Sequence, residues 1–152
     1  MTHPSIDQTI LYASQFHHGQ RDKAGVPYIA HPLAVMRRVP EEAWHVAVLH
    51  DVIEDSGVTL GWLMSTVGYT SEEVAAIDAL SKRPGEDYEA FTGRIIAAGR
   101  LAILVKIADI DDNLDLVRLA TFEEDALVRA RRMKKYRTAR LRLEMALEEV
   151  SS

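Results

Sequence analysis

Residues 48–55 read VLHDVIED, a histidine and three carboxylates set among valine, leucine and isoleucine. On a helix, positions four apart share a face, so His50 would stand with Glu54 and Asp51 with Asp55, while Leu49, Val52 and Ile53 turn toward a core. Three carboxylates this close repel one another and raise each other's pKa unless a cation or buried base compensates. A divalent ion is the economical compensation. For this stretch alone the bland alternative is a solvated polar edge with His50 as a simple N–H donor.

Two other stretches add to it. In PYIAHP, His31 sits between a proline-bearing loop and a proline-started helix, which narrows its backbone. In LVKIADIDDN, Asp109 follows Ile107 and Ala108 in an apolar run, where a carboxylate needs a partner. Asn113 lies one turn on, on the same face, and Arg118 is the bland partner for Asp109. Two histidines and two carboxylates, His31, His50, Asp51 and Asp109, suit one borderline or hard divalent ion (Mn, Fe, Co, Zn or Mg) with water completing its shell.

The elements that must position these residues read as helices. Ser5 with Gln8 makes a capping box ahead of Ile6, Ile10, Ala13 and Phe16. Residues 19–30 carry Gly19, Gly25 and Pro27 and read as a loop; Pro32 opens a second helix, and Pro40 a third that runs unbroken to Asp55. Thr59 caps a short helix, and Thr70 with Glu73 forms a second capping box. SKRPGED is another loop, YEAFTGRIIAA a helix, and LAILVKIADIDDNLDLVRL one buried helix without a break. Thr121 and Glu124 cap a long charged C-terminal helix. AILVKI alone could pass for a buried strand, but no segment sustains period-two alternation, so the chain reads as all-α. With no repeat or linker it reads as one domain over residues 1–152, a core of about 5–120 followed by a helix of about 121–150.

Composition bounds the rest. Among 152 residues there is no cysteine, which excludes a disulfide framework, thiol catalysis and thiolate metal sites. No signal peptide is visible and no apolar run approaches the ~20 residues that span a bilayer, so the expectation is a cytoplasmic protein without a membrane partner. A net charge of −5 argues against general nucleic-acid binding, and a homo-oligomer stays open.

In the order His31, His50–Asp51, Asp109, the chain resembles the HD-domain metal-dependent phosphohydrolases. More narrowly, GQRDKAGVPYIAHPLAV, AVLHDVIEDSGVT and LVKIADIDDNLDL resemble the hydrolase domain of the RelA/SpoT group, above all its stand-alone small hydrolases, across roughly residues 10–120. The resemblance implies a compact helical bundle in which His31, His50, Asp51 and Asp109 hold one ion, typically Mn. It gives Glu54 and Asp55 the task of orienting and activating the attacking water, and puts Asn113 near ribose and metal. The implied reaction removes the 3′-pyrophosphate of guanosine tetra- or pentaphosphate; a metazoan-type relative also acts as an NADPH phosphatase.

Cations must offset the phosphate charge, and Arg21, Lys23, Lys82, Arg83 and Lys106 are the candidates. Asp22 stands where the group usually places a basic residue that packs on guanine, and a carboxylate cannot make that cation–π contact. Either Arg21 or Lys23 takes over, or the substrate differs. Ile110 and Asp111 likewise replace a common Arg-Leu and would make the mouth more acidic.

All six histidines fall at or before residue 50, whereas dinuclear members of the superfamily draw further histidines from helices after the HD pair, so the resemblance implies a mononuclear site. His45 reads as structural, His17 as support behind the site, and His3 and His18 as solvent-exposed. Trp44 and Trp62 read as core residues, and Tyr88 as helix core or a base platform. The basic C-terminal helix reads as solvated or subunit-facing. Two rivals remain: a nucleotidase or phosphatase of the same superfamily, releasing phosphate, and a nucleotide-binding sensor without turnover.

Overall fold

The computed structural model describes residues 2–115 and 125–152. Helix α1 (Ile6–Phe16) opens on the Ser5–Gln8 capping box with both of its hydrogen bonds formed. α2 (Ala30–Arg37) carries Pro32 in its first turn. A 3₁₀ turn, Glu41–Ala43, leads into α3 (Trp44–Leu49), and α4 (Val52–Asp55) follows. α5 (Leu60–Trp62), capped by Thr59, runs into a π turn, Leu63–Val67. α6 (Ser71–Ala79) starts at the Thr70–Glu73 capping box. α7 (Tyr88–Ala98), capped by Asp87, is separated from α8 (Arg100–Asn113) by Gly99 alone, whose φ of 100° is a conformation that favours glycine. α9 (Ala126–Ser151) is capped by Asp125. Among the described residues there is no strand, only an isolated bridge between Arg21 and Pro27, and no helix long and apolar enough to cross a membrane. The all-α reading holds.

Two helices form the centre. α3 packs on α1, α2, α6 and α8, while α8 packs on α2, α3, α6, α7 and α9. Their apolar residues are sealed, including Val46, Val48 and Leu49 on α3 and Ile103, Val105 and Ile110 on α8. α9 buries Ala139, Leu143 and Ala146, spaced four and three apart, so a mostly charged helix docks by one narrow stripe.

Several expectations change. The helix expected through HDVIED is interrupted at His50–Asp51, where Asp51 has φ −102° and ψ −1°. Successive residues on a regular helix point about 100° apart and do not face each other. The break lets His50 and Asp51 converge, while the Asp55 N–H still reaches the Asp51 carbonyl at 3.1 Å. α8 ends at Asn113 rather than running on. Arg118 and the Thr121–Glu124 capping box lie outside the described residues. Trp62, expected in the core, is 37% exposed beside Tyr12 and Phe16.

Candidate active site

Three segments deliver the site. The loop before α2 folds back on itself: Tyr28 N–H reaches the Gln20 carbonyl at 2.9 Å, and the Asp22 carboxylate accepts the N–H groups of Ala24 (2.9 Å) and Val26 (3.0 Å). Behind it, buried His17 meets Gln20 Oε1 through Nδ1 at 2.9 Å. The loop sets Tyr28 and, in the first turn of α2, His31. The end of α3 sets His50 with Asp51. α8 presents Lys106, Asp109 and Asp112, one turn apart, from a single face.

The four expected metal-binding side chains meet. His31 Nε2 lies 2.8 Å from Asp109 Oδ1 and 3.7 Å from Asp51 Oδ2; His50 Nε2 lies 3.0 Å from Asp51 Oδ2 and 3.5 Å from Asp109 Oδ1. His50 Nδ1 is 2.6 Å from the Ala47 carbonyl, which can only accept, so Nδ1 carries the hydrogen and Nε2 of the neutral ring offers a lone pair. His31 Nδ1 is backed in the same way by Asp112 Oδ2 at 2.7 Å. An oxygen behind each imidazole is how metal-binding histidines are oriented. His50 Nε2 is buried and makes no hydrogen bond among the described residues. An orphaned nitrogen facing two carboxylates fits a divalent ion.

The electrostatics point the same way. Burial pulls both imidazoles toward neutrality, yet Asp109 and Asp112 raise His31, and Asp51 and Asp109 raise His50 well above the ordinary histidine value. Burial would lift the two carboxylates, but His50 holds Asp51 at about 2, and Lys106 with the imidazoles holds Asp109 well below the carboxylate range. Lys106 Nζ sits 2.9 Å from Asp109 Oδ2. The cluster draws positive charge.

No family model matches the chain. It is 34% identical over 130 residues to a guanosine-3′,5′-bis(diphosphate) 3′-pyrophosphohydrolase of Vibrio cholerae, covering 75% of this chain and 18% of that protein. It is 32% identical over 122 residues to the bifunctional (p)ppGpp synthase/hydrolase SpoT of Escherichia coli K12, covering 72% of this chain and 17% of that one. A solved structure of a metazoan ortholog of SpoT, which hydrolyses ppGpp and plays a role in starvation responses, covers 99% of this chain and 96% of its own with TM-score 0.67. At 22% identity that likeness speaks to the fold alone. This is a RelA/SpoT-like chain with the HD-domain fold. It spans only a small part of the two bacterial relatives, whose named activities belong to much longer proteins.

Two cavities flank the RelA/SpoT-like cluster, and Asp51, Asp109, Asn113 and Tyr136 line both. The first, about 450 Å³, takes in Arg21, Lys23, Tyr28, His31 and Arg132. The second, about 400 Å³, takes in His50, Glu54, Lys82, Tyr88, Lys106 and Lys135. Arg83, expected among the phosphate-facing cations, lines neither; it pairs with Asp78 at 3.1 Å. Asn113 Nδ2 donates to Asp109 Oδ1 at 3.3 Å. Glu54, at the rim, accepts the Lys82 backbone N–H, and burial with Asp51 and Asp55 nearby raises its pKa against that bond. Asp55 lines neither cavity and sits toward Tyr28 and His17; burial and Asp51 raise it too. Asp111 does not acidify the mouth, because Arg140 clasps it at 2.6 and 3.1 Å and ties α9 to α8.

Sequence reasoning missed several residues of this site. Asp112 was readable as a helical neighbour of Asp109. Tyr28, inside the quoted PYIAHP, donates its hydroxyl to Asp51 Oδ2 at 2.5 Å. Arg132, Lys135 and Tyr136 reach the cavities from α9, the helix read as solvated or subunit-facing. Lys135 Nζ lies 4.6 Å over the Tyr88 ring, and burial with Lys106, Arg132 and Lys82 nearby lowers its pKa. Tyr88 thus serves as a platform for cations at the cavity wall.

Proposed function

We propose that this chain, as one HD-type domain, hydrolyses the 3′-diphosphate of a guanosine 3′,5′-bis(diphosphate)-type nucleotide, with one divalent ion held by His31, His50, Asp51 and Asp109. Manganese is the choice that the likeness to the group supports. One observation carries the reading: each imidazole Nε2 lies within 3.7 Å of both carboxylates, beside cavities walled by cations. An ion there would lower the pKa of a bound water toward neutrality and polarise a phosphoryl oxygen. Glu54 takes the water proton, its basicity raised by burial and by the charges of Asp51 and Asp55. Lys23 and Arg132 on one side, and Lys82, Lys106 and Lys135 on the other, offset phosphate charge. Asn113 offers its amide where the cavities join.

Asp22 favours a second reading. Its carboxylate is committed to the Ala24 and Val26 N–H groups, leaving Arg21 and Lys23 as the cations for a base. A nucleotide other than a guanosine alarmone, losing phosphate, also suits that wall. The test is a panel of guanosine tetraphosphate, NADPH and nucleoside monophosphates with Mn and with chelator, identifying the product. Pyrophosphate from guanosine tetraphosphate, abolished by chelator, is the expected result. Phosphate from another nucleotide would favour the second reading, and no turnover of any of them would sink both.

A further inference from the structure

A second histidine–carboxylate cluster lies where α3 and α6 begin, outside the site above. His3, ahead of α1, sets Nε2 2.7 Å from Glu73 Oε1. His45, in the first turn of α3, meets the His3 ring edge-on with centroids 4.7 Å apart. One ligand-capable atom from each of His3, His45 and Glu73 lies within 4.8 Å of the other two. Two of the three are held from behind. His45 Nδ1 is 2.7 Å from Thr9 Oγ1, which is 2.6 Å from the Tyr69 hydroxyl, and Glu73 Oε1 also accepts the Thr70 N–H at 2.9 Å. His45 Nε2 and Glu73 Oε2 make no hydrogen bond or ion pair among the described residues.

We propose that His3, His45 and Glu73 form a second divalent-metal site, of the two-histidine, one-carboxylate kind that takes Zn(II) or a similar borderline transition ion. Two of the ligands are fixed before an ion enters: Thr9 holds the His45 ring through Nδ1, and the Thr70 amide holds the Glu73 carboxylate through Oε1. His3 is the adjustable member, on a partly exposed side chain outside any helix. An entering ion takes the place of the direct His3–Glu73 hydrogen bond. With metal–ligand distances of about 2.0–2.2 Å at a tetrahedral angle, the two ligand atoms move roughly 0.6–0.9 Å further apart, which the segment ahead of α1 can supply. Bound metal would clasp that segment to α3 and α6.

The competing description is a plain ion pair between His3 and Glu73. Tag-free protein titrated with Co(II), read by visible absorption and by equilibrium dialysis, separates the two. The wild-type chain is expected to bind one more Co(II) per chain than His3→Ala, and the same equivalent should vanish in Glu73→Gln. In a His31→Ala/His50→Ala background one Co(II) should remain, and adding His3→Ala should remove it. Equal stoichiometry in wild type and His3→Ala overturns the site, whatever the double variant does, because truncating the part-exposed His3 leaves the core intact.

Discussion

His45 and His50 lie five residues apart, yet they serve two clusters built on opposite terms. Around His50 the partners are enclosed: His31, His50, Asp109, Asp112 and Lys106 are buried, Asp51 is mostly so, and each charge leans on another. Around His45 burial is graded, from buried Glu73 through half-buried His45 to exposed His3, with neutral Thr9 and Tyr69 behind. Enclosure makes charges interdependent, because water cannot replace a lost partner. Grading leaves His3 and His45 an alternative in solvent. The inner cluster should therefore fail as a unit, and the outer one residue by residue.

The largest effect is expected from Asp109→Ala, which strips Lys106 of its counter-charge and removes an oxygen facing both histidines. Breaking one side of a buried pair costs about 3–5 kcal/mol, and turnover should disappear. Adding Lys106→Met should restore the denaturation midpoint and not the turnover. A wild-type midpoint in Asp109→Ala would refute the interdependence. Next, Glu54→Gln should lower turnover by about 10²–10⁴-fold while metal stoichiometry holds, and unchanged turnover would remove Glu54 as the base. Asp112→Ala leaves His31 Nδ1 without its carboxylate, so metal affinity by dialysis should fall about 10–100-fold. The outer cluster offers the contrast: Thr9→Val deprives His45 Nδ1 and the Tyr69 hydroxyl of a shared partner, at about 1–3 kcal/mol, with turnover at the inner site intact.

The same contrast explains what the sequence made legible. His31, His50, Asp51 and Asp109 announce themselves because each is a polar group inside an apolar run, and the Ser5 and Thr70 capping boxes are local, so spacing alone reveals them. The break at His50–Asp51 goes with a contact that spacing does not show: His50, its Nδ1 on the Ala47 carbonyl, turns Nε2 to Asp109 on α8. Nor does α9 advertise its role. Its buried stripe includes two alanines, and Arg132 and Lys135, which line the two cavities at the site, look no different in sequence from Arg131 and Lys134, which line neither. His3, His45 and Glu73 share no spacing at all, and only the packing of α3 on α1 and α6 unites them.

Glu73→Gln should give the smallest effect, and its pH dependence tests the graded cluster most directly. Its folded pKa lies below the model-peptide value of 4.5, so its stabilising contribution is complete above that value and is lost as pH falls through the folded pKa. Glutamine keeps an oxygen for the Thr70 N–H and removes only the charge. With His3 partly exposed, the charge contributes no more than about 1 kcal/mol after solvent screening. Urea midpoints of wild type and Glu73→Gln should therefore differ slightly at about pH 5.5 and coincide once Glu73 is protonated in the folded state. A gap that persists in acid would mean that glutamine disturbs the helix cap itself. Added Zn(II) near neutral pH should widen the gap, because only the wild-type carboxylate completes the outer site and ligand binding to the folded state adds to stability.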